Sequence, residues 1–86
     1  MITGNNRVVE HDGRQYHLQV EDLGDASQQF EIRVYDGGTV LWQKRVSYDD
    51  VVEPDMSRPA LEHAVRAKMD KMLLTVEAGI QKGKIG

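Results

Sequence analysis

Proton transfer near neutral pH and metal ligation both fall first to histidine, and this chain carries three, His11, His17 and His63. No two of them stand in an H-x-x-x-H or H-x-H spacing, so no zinc-binding pair is encoded on a helix or a strand. His11 lies beside a turn, His17 on the polar side of an alternating strand and His63 on the back of a helix, which reads as three surface histidines. The absence of cysteine removes disulfides, thiolate metal sites and thiol nucleophiles together. Two acidic runs, Glu21-Asp22-x-x-Asp25 and Asp49-Asp50-x-x-Glu53-x-Asp55, offer oxygen ligands. Neither has the alternating ligands, mid-loop glycine and closing glutamate of a calcium loop. Ser47, Ser57 and Thr39 have no base at a spacing that would activate them. Gly37-Gly38 lacks the flanking pattern of a phosphate-binding loop and reads as a turn. The expectation is a chain that is not an enzyme, with no metal site and no cofactor.

The elements that carry these side chains follow from hydrophobic patterning. Asp12-Gly13 between two β-rich runs is a strong hairpin signal, because a type I′ turn needs positive φ at both central residues. A two-residue loop there pairs Val9 with Tyr16 and Arg7 with Leu18. The second strand alternates, with Tyr16, Leu18 and Val20 on one face and Gln15, His17, Gln19 and Glu21 on the other, so one face is buried and one is wet. A polar loop over residues 22–28 precedes a third strand that points Phe30, Ile32 and Val34 inward. For the next turn, a three-residue Asp36-Gly37-Gly38 loop sets Val40 against Val34 and Trp42 against Ile32, burying Val40, Trp42 and Val46. A two-residue Gly37-Gly38 loop instead sets Leu41 against Val34 and Gln43 against Ile32, so the three-residue loop is the one expected.

Residues 49–57 are acidic, contain Pro54 and form a connector, with one helical turn expected over residues 49–52. Ser57 is the expected N-cap of a long helix beginning near Arg58-Pro59. Leu61, Val65, Met69, Met72, Leu73, Val76 and Ile80 recur at three- and four-residue steps and form one apolar stripe along about 30 Å of helix. Gly79 and Gly83 are the candidate stops. The fold class predicted is α+β, a single domain over residues 1–86 in which a four-stranded antiparallel meander is covered on one face by a long C-terminal amphipathic helix. The expected core is Val9, Tyr16, Leu18, Val20, Phe30, Ile32, Val34, Val40, Trp42, Leu61, Val65, Met69, Met72 and Val76.

A chain of 86 residues is too small to enclose a deep pocket as a monomer. No apolar run approaches the length of a membrane span, and the start has no basic segment followed by an apolar one. A cytoplasmic location is therefore the expectation, with no membrane partner. The net charge of −3 is divided unevenly. Residues 1–57 hold five basic and eleven acidic side chains, a balance of −6, whereas residues 58–86 hold six and three, a balance of +3. That split reads as internal complementarity between an acidic sheet and a basic helix, or as attraction of an acidic partner to the helix.

Two surfaces are left for recognition. The uncovered sheet face collects His17, Gln19, Arg33, Tyr35, Leu41 and Arg45, with Glu21 and Glu31 among them. An aromatic ring beside arginines on a flat sheet can stack on and clamp single-stranded nucleic acid. The order of four strands and a helix is similar to that of the PUR-type nucleic-acid repeat, although the acidic sheet works against backbone binding. On the helix back, Ala60, Ala64, Ala67, Lys71, Leu74 and Ala78 follow a seam-like spacing. Ala60, Ala67 and Leu74 there would let another helix approach, in a homodimer or on a different protein.

With His11-x-Gly13-x-x-Tyr16-His17-x-Gln19-x-Glu21-Asp22-x-Gly24, then Gly37-Gly38, then Ser47-Tyr48-x-Asp50, and Val65-Arg66-x-x-Met69 in the helix, the chain resembles a group of short bacterial proteins of unknown function. The resemblance implies a stand-alone bacterial domain and brings no activity with it. The functional expectation is a small protein-interaction or accessory module that self-associates or binds a protein partner, through His17, Arg33, Tyr35 and Arg45 or through the helix back. The alternative is a module binding single-stranded nucleic acid on Arg33, Tyr35 and Arg45.

Overall fold

Asp12 and Gly13 take φ of +50° and +77°, and this left-handed pair folds the chain back on itself as the dipeptide demands. The computed structural model describes residues 2–85. The hairpin joins β1 (Asn5–His11) to β2 (Arg14–Asp22), with Val9 opposite Tyr16 and Arg7 opposite Leu18. β3 (Gln29–Asp36) and β4 (Thr39–Ser47) complete one antiparallel sheet in the order β1-β2-β3-β4. A single 3-10 turn over Asp49–Val51 leads to α1 (Arg58–Gln81). The α+β meander with one C-terminal helix is the architecture the patterning predicts.

The β3–β4 turn departs from the three-residue expectation. Gly37 and Gly38 both have positive φ, +56° and +85°, so the loop is two residues long and Asp36 pairs with Thr39. The one-residue offset that turns Trp42 inward comes from a bulge, with Leu41 the extra residue between the Tyr35–Val40 and Val34–Trp42 pairs. Trp42 therefore opposes Val34, Lys44 opposes Ile32 and Val46 opposes Phe30. Val40, expected in the core, points to the open face beside Tyr35 and is 44% exposed.

The helix begins where the sequence signals it. Ser57 caps it by accepting a hydrogen bond from the Ala60 N–H at 3.2 Å, and Pro59 sits in the first turn. It ends at Gln81, and Gly83 just beyond it takes φ +71°, with the N–H of Lys84 donating to the Gly79 carbonyl at 2.9 Å. Gly79 lies within the helix, beneath Ile85. Val65, Met69, Leu73, Val76 and Ile80 form the buried stripe, while Leu61 and Met72, expected beside them, are half-buried.

Polar ties along one flank of α1 set its position. Asn5 Nδ2 donates to Asp70 Oδ1 at 3.0 Å, Arg7 Nη1 to Glu77 Oε2 at 3.0 Å, and His11 Nδ1 lies 3.2 Å from Gln81 Oε1. The helix thus runs alongside β1, lies over β1 and β2, and meets the 3-10 turn.

A buried polar node closes the other end of the sheet. Asp22, 1% exposed, accepts hydrogen bonds from the Ile2 N–H at 2.8 Å, the Tyr48 hydroxyl at 2.9 Å and the Gly24 N–H at 3.1 Å. The Tyr48 ring stacks on Phe30 with centroids 6.4 Å apart. Ile2 and Tyr48 thereby join the core, and Leu73 and Ile80 of the predicted helix stripe are buried in it as well.

Gly4 makes the N-terminal segment fit: a Cβ there would overlap the backbone carbonyl oxygen of Val20. Gly4→Ala is expected to destabilise the domain by about 1–3 kcal/mol. Urea unfolding measures the loss, and loss of protection of the Ile2 amide in hydrogen exchange places it at the Asp22 node.

Candidate interaction surfaces

Burial along the strands is uneven in a way that locates the surfaces. In β2 the inward residues Tyr16, Leu18, Val20 and Asp22 are all buried, and in β3 Phe30, Ile32 and Val34 are buried too. In β4 no residue is buried: Trp42 and Val46 are half-buried and the inward Lys44 is exposed. The cause is the placement of α1 over β1 and β2, held there by its ties to Asn5, Arg7 and His11. The inner face of the sheet is covered on one side and left partly open on the other.

This open flank lies between β4 and α1. At its upper end Lys68 Nζ donates to the Ser47 carbonyl at 2.7 Å and to Asp50 Oδ1 at 2.6 Å, tying the helix to the end of β4. The Lys68 ammonium holds the Asp50 carboxyl below the usual range. Beside this tie a groove of about 380 Å³ is lined by Asp50, Val51, Ala64, Ala67, Lys68, Lys71 and Met72. Of the helix-back residues, Ala64, Ala67 and Lys71 line this groove, whereas Ala60 and Leu74 do not line it and are exposed, Leu74 at 58%. Lys44 and Lys71 make no ion pair among the described residues.

The opposite, uncovered face of the sheet brings the other candidates together in cross-strand rows. Val8, His17, Tyr35 and Val40 form one row, Asn6, Gln19, Arg33 and Gln43 the next, and Glu21, Glu31 and Arg45 a third. Leu41 sits in the bulge, and Val40 takes its place in the row. Arg33 and Arg45 both turn onto Glu31: Arg45 Nε lies 3.1 Å from Glu31 Oε2, and Arg33 Nη2 meets Oε1. Arg33 also faces Glu21 at 3.6 Å. Glu31 is 7% exposed although it lies on the open face, because the two arginines cover it. The Arg45 guanidinium, against partial burial and with help from Arg33, holds the Glu31 carboxyl below its ordinary range. Glu21, Glu31, Arg33 and Arg45 together sum to no charge, so the arginines are already compensated when a polyanion arrives. A shallow hollow of about 380 Å³ next to them is lined by His17, Gln19, Tyr35 and Gly38.

The histidines remain apart. His11 faces Gln81, His17 is exposed on the open face and His63 is exposed on the helix. Among the described residues no group of three or more histidine, aspartate or glutamate side chains is placed to hold a metal ion. No helix among them is long and apolar enough to cross a membrane. Comparison of the chain with protein-family models, with curated proteins and with solved structures found no match.

The β4–α1 flank is the surface that sequence reasoning missed. Its signal is Lys44, an ammonium at an inward position between Trp42 and Val46 in an otherwise alternating strand. A lysine is almost never fully buried without a partner, so its inward register marks a face that stays wet.

Proposed function

We propose that the chain is a small non-catalytic protein-interaction module and that its protein partner docks on the flank between β4 and α1. The carrying observation is that the inward face of β4, with Trp42 and Val46, is only half covered by the helix that buries the rest of the sheet. Completing that cover removes apolar surface from water at about 25 cal/mol per Å², the usual drive for docking. The groove beside it is open and apolar at Val51, Ala64 and Met72 and basic at Lys68 and Lys71, and Lys44 stands exposed on the inward face of β4. The open sheet face supports binding less well, because its two arginines are already paired with Glu31.

The test is a pull-down from bacterial lysate, with and without nuclease, comparing the native chain with Ala67→Glu and Arg33→Glu. Ala67 and Arg33 lie on different surfaces, and neither side chain is buried. The expected result is a protein captured by the native chain and by Arg33→Glu, resistant to nuclease and lost with Ala67→Glu. Capture that disappears with nuclease, or with Arg33→Glu but not Ala67→Glu, overturns the assignment in favour of the open sheet face.

A further inference from the structure

Charge along the half-open flank is segregated by end. β4 from Thr39 to Ser47 contains no carboxylate, and neither do the helix positions that wall the groove, Ala64, Ala67, Lys68, Lys71 and Met72. The basic side chains Lys44 and Lys71 stand along this stretch without ion-pair partners among the described residues. Immediately beyond the Lys68 tie, the connector reverses the sign with Asp49, Asp50, Glu53 and Asp55. Asp49, Glu53 and Asp55 are exposed, and only Asp50 is engaged by Lys68.

A surface that is acidic at one end, basic along the rest and apolar through its middle complements itself when rotated by 180° about its centre. A two-fold interface has this property, since each contact of residue i with residue j is repeated as j with i. We propose that the partner on this flank is a second copy of the chain, packed as a two-fold dimer. In it the connector carboxylates of each protomer face Lys44 and Lys71 of its partner, and the two half-buried Trp42–Val46–Met72 surfaces cover each other. This inference rests on the flank being the docking surface. The edge of β4 does not itself continue the sheet in this arrangement. Its bulge at Leu41 and its Lys44 and Arg45 are the devices that keep an edge strand from pairing.

The experiment is charge reversal and rescue, read by sedimentation and by light scattering after gel filtration. The native chain is expected to pass from its 9.7 kDa monomer to twice that mass as concentration rises, with the emission of its single tryptophan, Trp42, shifting to the blue. The pair Lys44→Glu and Lys71→Glu places like charges together and is expected to weaken the dimer at least about tenfold. Asp49→Lys with Glu53→Lys is expected to do the same. All four side chains are exposed, and circular dichroism checks that each variant folds. An equimolar mixture of the two variants restores both opposite-charge contacts and is expected to form a heterodimer of native strength. A native chain that stays monomeric up to millimolar concentration overturns self-association. So does a dimer that neither variant weakens, or one whose variants fail to rescue each other. A monomer that still captures another protein in an Ala67-dependent way removes the second copy as occupant while leaving the flank as the docking surface. A monomer that captures nothing removes both.

Discussion

Replacing Asp22 with alanine is expected to lower the unfolding free energy by about 3–5 kcal/mol, a large part of the roughly 5–15 kcal/mol typical of a domain. The change strands two buried donors, the Ile2 N–H and the Tyr48 hydroxyl, and a part-buried one, the Gly24 N–H. Tyr48→Phe removes a donor and leaves a carboxylate with two remaining partners, so about 1–2 kcal/mol is expected. Because the two side chains share one hydrogen bond, the double variant is expected to be less destabilised than the sum of the singles.

The same node predicts two limbs of pH dependence. Burial pushes the Asp22 carboxyl up, but the hydrogen bonds from Ile2, Tyr48 and Gly24 outweigh it and leave the group below its ordinary range. A depressed folded pKa stabilises the native state above the unfolded value of about 3.9, and that stability is lost as pH falls through the folded value. At the alkaline end, burial first and the Asp22 carboxylate second push the Tyr48 phenol up to about 12. Its contribution is intact below the unfolded value of about 10 and disappears as pH rises through about 12. Urea titrations across both ranges test the assignment. Asp22→Ala is expected to flatten the acid limb, and Tyr48→Phe to remove the alkaline one.

Phe30→Ala is expected to cost about 3–5 kcal/mol, the usual range for emptying an aromatic site in a packed core. Phe30 is 0% exposed and lies under the Tyr48 ring, with Val46 opposite it on β4. Collapse around the vacated space is opposed by the Asp22–Tyr48 hydrogen bond, which anchors one wall of the cavity. Val40→Ala is the informative contrast. The three-residue loop would place Val40 in the core and make its truncation costly. The two-residue turn places it on the surface, 44% exposed, where a change within about 0.5 kcal/mol is expected. Guanidinium unfolding of the two variants side by side separates the registers.

Two short sequence fragments acquire a physical meaning in the folded chain. Asp22-x-Gly24 and Ser47-Tyr48-x-Asp50 lie far apart in sequence and appear there only as strand ends and turns. In space Tyr48 bonds to Asp22, and Asp50 and the Ser47 carbonyl receive Lys68. The two fragments therefore hold the sheet closed and dock the helix onto it. Asp22 follows Tyr16, Leu18 and Val20 on the inward side of an alternating strand, but only its Gly24 donor is local; the Ile2 and Tyr48 donors come from 20 and 26 positions away.

Local rules, applied to the sequence by itself, were enough for the number, type and order of the elements. Side-chain alternation set the faces of β2 and β3. Asp12-Gly13 set the first turn, and Ser57 with the three- and four-residue apolar steps set the helix and its buried stripe. The uncovered sheet face followed from the same alternation, and His17, Arg33, Tyr35 and Arg45 all lie on it. The tertiary structure decided whatever depended on competition between distant groups. Whether the β3–β4 offset was taken up in the turn or at a bulge depended on the freedom of two consecutive glycines to adopt positive φ, since both solutions turn Trp42 inward. The pairing of Arg33 and Arg45 with Glu31 depended on three side chains meeting across two strands. The half-open flank beside β4 depended on where α1 came to rest, and its ties to Asn5, Arg7 and His11 drew it toward β1. An amphipathic pattern says that a helix covers a sheet; only the contacts made along its two edges determine which strands it leaves uncovered.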